Sequence, residues 1–89
     1  MIASAAVKIM DYRQNKEIII PCHRHCDAFY ILKEFGYKPH QEYKELEQGF
    51  LDDKGNFLNR VEAWYIAKEN QQLMVIDPTC HTLYSEDLW

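Results

Sequence analysis

The run Ile18-Ile19-Ile20, closed by Pro21, and the change of apolar period directly after it constrain this chain more than any other feature. Three successive β-branched residues favour an extended strand, and the proline confines that strand to an edge or ends it. Beyond Pro21, the residues Ala28, Phe29, Ile31, Leu32 and Phe35 recur at helical spacing. They predict a helix from about His23 to Phe35, stopped by Gly36. Upstream, Ile2 to Met10 has a small-residue start and a β-branched end, which predicts a second strand. The polar link from Asp11 to Glu17 suits a chain reversal, so the two strands are expected to pair as an antiparallel hairpin.

Past Gly36 the local signals are uneven. Gln41 to Gln48 is charged, helix-prone and short of apolar anchors, which predicts a short exposed helix. Asp53-Lys54-Gly55 supplies a turn. Asn59, with Glu62 after it at capping-box spacing, marks the start of a second long helix from Arg60 to about Asn70, with Val61, Trp64, Tyr65 and Ile66 as its apolar stripe. Leu73-Met74-Val75-Ile76 reads as a third strand, and Ser85-Glu86-Asp87-Leu88-Trp89 as an acidic, aromatic tail docked on the core. No internal repeat is visible. The expected architecture is α+β: a single domain over residues 1–89, with a small antiparallel sheet and two main helices.

Size and charge then limit the function. A chain of 89 residues builds one modest core, and a deep cleft inside one protomer would compete with that core for volume. A site between the subunits of an oligomer fits better. Fourteen acidic residues against ten basic ones give a formal charge of -4, without the basic stripe that polynucleotides or an anionic membrane require. No apolar run approaches the roughly 20 residues of a membrane span, and Met1 to Val7 lacks the basic start of a signal peptide. Three cysteines are an odd and sparse set, so reduced thiols in a cytosolic protein are expected.

The densest polar chemistry is Cys22-His23-Arg24-His25-Cys26-Asp27. Cys22 and Cys26 with Cys80-His81 supply zinc-type donors, but no second pair has standard spacing. A Cys-His nucleophile lacks an identifiable orienting group. A third reading makes Arg24 a bidentate anion donor, His25 a hydrogen-bonding or stacking group, and the first-turn amides of the helix an anion seat. Against it, Arg24 pairs with Asp27 while His25 and Cys26 are ordinary helix residues. Arg13, Arg24 and Arg60 are the only arginines. Arg60 opposes the dipole of the helix it begins, which suggests a salt bridge, a ligand or a subunit contact. Phe50 and Phe57 flank the turn and could cover a planar ring, with Asn56 and Asn59 reading base edges, although core packing competes for both rings. Asp52-Asp53 reads as a pair of solvated turn residues.

Ala5-Ala6-Val7, Arg24-His25-x-Asp27, Gly49-Phe50-Leu51, Gly55-x-Phe57-x-x-Arg60-x-x-Ala63, Ile66-Ala67-Lys68 and Ser85-Glu86-Asp87-Leu88 together resemble the phage Thoeris anti-defence sponge family across nearly the whole chain. Cys22 departs from the pattern, which carries a glycine there. The resemblance implies a homo-oligomer in the cytoplasm of the bacterial host. Such a protein binds cyclic ADP-ribose signals made by TIR-domain defence proteins and holds them uncleaved, with no cofactor and no metal. The implied ligand set is Arg24, His25, Phe50, Phe57, Asn59 and Arg60, shared between protomers, with arginines on the pyrophosphate and aromatics on the adenine. The competing expectation is a non-enzymatic phage interaction module that inhibits a host protein.

Overall fold

A computed structural model describes residues 1–74 and 81–88 of the chain. Strand β1 (Ile2–Asp11) pairs antiparallel with β2 (Lys16–Cys22), with Val7 opposite Ile20 and Ile9 opposite Ile18. This is the hairpin expected from the sequence. Its turn is closed by the buried Asp11 carboxylate, which accepts from the Arg13 amide at 2.9 Å and the Gln14 amide at 3.3 Å. Pro21 stands opposite Ala6 on β2, an edge strand, where its missing N–H costs least.

Helix α1 (His25–Glu34) follows β2 directly. It ends where the glycine predicts: the Tyr37 amide donates to the Leu32 carbonyl at 2.9 Å, the Gly36 amide to that of Lys33 at 3.0 Å, and Gly36 has φ +80. This is a Schellman closure, with Tyr37 and Leu32 packed in the same apolar cluster.

The expected helix over Gln41–Gln48 is instead the first half of a strand, β3 (Tyr43–Asp52), paired along β1. The helix propensity of Lys44, Glu45 and Glu47 is overridden by a continuous ladder to an apolar central strand. Register shifts mask the alternation: Lys8 faces Glu47 but Ile9 faces Glu45, leaving Leu46 as the extra residue of a bulge. After the turn at Asp52–Gly55, β4 (Phe57–Leu58) pairs with β3. The sheet is four-stranded and antiparallel, in the order β2-β1-β3-β4.

Helix α2 (Arg60–Glu69) starts at the predicted cap, with the Glu62 amide donating to Asn59 Oδ1 at 2.8 Å and the Asn59 amide to Glu62 Oε1 at 3.1 Å. The third strand is not seen at Leu73 and Met74, where the Met74 amide donates instead to the Asp87 carbonyl at 2.8 Å. Val75, Ile76, Cys80 and Trp89 lie outside the described residues. Gln72 pairs its side-chain amide with both the N–H and the C=O of Ile2, taking the place of a strand at that end. The tail docks through buried Leu83 and Ser85 and a 3-10 turn at Ser85–Asp87.

Ala5, Val7 and Ile9 alternate onto one face of β1, and both helices cover that face. Ala5 packs with Phe50, Ala63, Trp64 and Ala67 under α2, while Val7 and Ile9 pack with Ala28, Leu32 and Tyr43 under α1. The fold is therefore α+β, with two core clusters in a row along the sheet. Its extents are 40 × 20 × 20 Å and its Cα radius of gyration is 13.8 Å, above the roughly 12 Å of a rounder chain of this length. No helix among the described residues is long and apolar enough to cross a membrane.

Candidate functional site

The two helices begin at the same place on the sheet. His25, the first residue of α1, donates through Nε2 to the Gly49 carbonyl at 2.8 Å and meets the Phe50 ring edge-on, with centroids 5.2 Å apart. Arg60, the first residue of α2, donates through Nη2 to Gln48 Oε1 at 2.6 Å, and its guanidinium lies 5.1 Å from the Tyr84 ring centre. Gln48 and Gly49 thus form a seam between the two core clusters, with His25 reaching it from one helix and Arg60 from the other. Arg24 Nη1 and Arg60 Nε are both buried, and Arg60 Nε makes no hydrogen bond among the described residues.

Gly49 is what lets the seam close. A Cβ there would run into the Leu58 carbonyl oxygen and would stand 2.6 Å from Phe57 Cζ. A side chain at this position is incompatible with Phe57 lying across the strand.

The six residues named from the sequence do not form one surface within a protomer. Phe50 is fully buried beneath α2, and Asn59 spends its side-chain oxygen on the Glu62 amide. His25 is buried, and its bond to a carbonyl fixes the tautomer with the proton on Nε2. Phe57 pairs with Leu51, and Phe50 with Leu58. Strand alternation therefore sends the two rings to opposite faces of the sheet. Phe57 carries the Lys8 ammonium 4.6 Å from its ring centre. Arg24, Phe57, Asn59 and Arg60 are the half-buried members of the set.

At the start of each helix a side chain takes a terminal amide. Asp27 Oδ2 accepts from the Arg24 amide at 3.1 Å, and the α2 cap is closed by Asn59 and Glu62. The Arg60 guanidinium brings positive charge to the seam. Of the cysteine chemistry, Cys22 is a thiol at neutral pH, because burial and then the nearby Asp27 carboxylate push it up to about 11. No cluster of three His, Cys, Asp or Glu side chains is placed to hold a metal among the described residues.

Two hollows were not foreseen. An open one of about 290 Å³ lies beside the Arg24 segment, lined by Ala3, Ser4, Cys22 and His23. A larger groove of about 550 Å³ lies at the far end of α1, lined by Phe29, Lys33, Tyr37, Lys38, Pro39 and Tyr43, with Gly36 at its turn. The sequence signal for the groove is the close spacing of Tyr37, Pro39 and Tyr43, which meet there because Tyr43 begins a strand and not a helix.

A family model described as phage T4 y16D protein matches residues 1–89. The chain belongs to that family. The description states a phage protein and names no activity or ligand. No curated protein and no solved structure matches the chain.

Proposed function

We propose that the protein captures a phosphate-bearing nucleotide ligand at the seam and holds it uncleaved; the sequence resemblance assigns that ligand to the cyclic ADP-ribose signals of TIR-domain defence proteins. The observation that carries this reading is the meeting of His25 and Arg60 at Gln48–Gly49 from the starts of two separate helices, with Arg24 directly before His25 and its Nη1 buried. Guanidinium groups are suited to bidentate phosphate contacts, and in a chain of net charge -4 they are a local source of anion affinity. Both are partly withdrawn from water, which strengthens a charge contact. Within one protomer neither phenylalanine named from the sequence covers adenine at the seam, since Phe50 is buried and Phe57 is on the other face. A second copy supplies that wall in this proposal, so the working unit is a homo-oligomer in the host cytoplasm.

Calorimetric titration with cyclic ADP-ribose isomers tests the reading. Wild-type protein binds at least one isomer stoichiometrically, and the ligand is recovered intact after denaturation. Arg60→Ala weakens binding by about 2 kcal/mol, the order expected for loss of a charged hydrogen-bond partner, while circular dichroism is unchanged. Absence of binding to every isomer contradicts the proposal, and recovery of a cleaved ligand contradicts capture.

A second reading, an interaction module directed at a host protein, draws on α1, where Tyr30 and Phe35 are 64% and 73% exposed. It predicts retention of a host protein by wild-type chain that is lost in Tyr30→Ala/Phe35→Ser and untouched by Arg60→Ala.

A further inference from the structure

The groove at the far end of α1 has chemistry of its own. Its volume, about 550 Å³, falls within the roughly 300–1,000 Å³ typical of small-ligand pockets. We propose that it is a second binding site, separate from the seam, for a small planar anion: an aromatic ring system carrying a carboxylate, sulfonate or phosphate.

The walls are rings held in place before any ligand arrives. Phe29 and Tyr43 are near parallel, with centroids 6.5 Å apart and planes at 28°, and Tyr37 lies 6.5 Å from Tyr43 at 56°. Tyr37 is fixed at both its tip and its face. Its hydroxyl donates to the fully buried Asp11 carboxylate at 3.0 Å, and the Arg13 guanidinium stacks 4.1 Å from the ring centre. Arg13 is itself anchored, to the Gly36 carbonyl at 2.8 Å and to the Glu42 carboxylate. The Gly36 closure returns the chain so that Tyr37 faces back toward Leu32. Rings locked in this way lose little freedom on binding a flat partner.

Charge selects the class of partner. Lys33 and Lys38 line the groove, and among the described residues no acidic side chain does. Among the described residues neither lysine makes a direct ion pair, although the Lys38 charge helps hold the Glu42 carboxyl below its ordinary range. Glu42, adjacent in sequence to Tyr43, is engaged by Arg13 and accepts from the Lys38 amide at 3.0 Å. Lys33 also complements the C-terminal turn of α1, but Lys38 follows the helix and has no such role. Two ammonium groups beside three aromatic rings match a ligand that is flat at one end and anionic at the other.

The test uses anilinonaphthalene sulfonate, a planar aromatic anion, and its uncharged counterpart phenylnaphthylamine, with fluorescence for affinity and amide NMR for location. The sulfonate is expected to bind saturably, one per chain, shifting Phe29, Lys33, Tyr37, Lys38 and Tyr43. Lys33→Gln/Lys38→Gln weakens it by about tenfold, the order expected for two partly exposed charge contacts, and the uncharged probe binds correspondingly less well. Shifts confined elsewhere, equal affinity for the uncharged probe, or an unaffected double variant each overturn the proposal. Arg24→Ala and Arg60→Ala leave sulfonate binding intact, so failure at the seam and failure at the groove are read separately.

Discussion

Gly49 carries more of the site than any charged residue. Its carbonyl receives His25, its bare Cα admits Phe57, and its neighbour Gln48 receives Arg60. Gly49→Ala is expected to destabilise the protein by about 1–3 kcal/mol, the range for forced overpacking, as read from urea unfolding; an unchanged midpoint would show that Phe57 and β4 yield freely. The residues were legible in the sequence to different degrees. Asn59 with Glu62 announced its cap, and Gly36 announced its closure, because both act on neighbours within a few positions. The burial of Phe50 and the commitment of His25 to a carbonyl depend on partners more than ten residues away in sequence. Residue type alone gave them the same chemistry as the exposed groups beside them.

At the scale of elements, the hairpin and both helices follow from local pattern, whereas β3 does not. Tyr43 to Gln48 offers mostly polar side chains and a bulge at Leu46, so neither period survives in the sequence. Only pairing with β1, whose Ala5, Val7 and Ile9 are fully buried, makes it a strand, and only as a strand does it bring Gln48 between the helices. The loops that join these elements are held by carboxylates. Asp52 accepts from the Asn56 amide at 2.8 Å, the Asn56 side chain at 3.0 Å and the Lys54 amide at 2.9 Å, which hold it below its ordinary 3.8. Glu42 is held below its ordinary 4.5, first by the Lys38 amide and then by Arg13. A carboxyl whose folded pKa is depressed contributes stability above its unfolded value and loses it as pH falls through the folded one. The urea midpoint is therefore expected to drop from about pH 5 to about pH 3, more steeply in wild type than in Asp52→Asn/Glu42→Gln. Equal slopes would remove these two groups from the acid response.

For the whole molecule, the arrangement of two core clusters in line matters most. Strands of ten residues extend about 33 Å, long enough for α1 and α2 to cover successive stretches of one sheet face. That geometry sets a seam in the middle and the aromatic groove beyond it. The other sheet face carries the fully buried Ala6, Lys8 set over the Phe57 ring, and the 40%-exposed Ile19. A chain this small gives the seam few walls of its own, which is why capture there is tied to a second copy. Native mass spectrometry of the protein mixed with cyclic ADP-ribose isomers reads both parts of that claim at once. The account predicts a homo-oligomer retaining intact ligand, with retention lost in Arg24→Ala/Arg60→Ala while the oligomer persists. A strictly monomeric species, or an oligomer that retains none of the isomers, would contradict it.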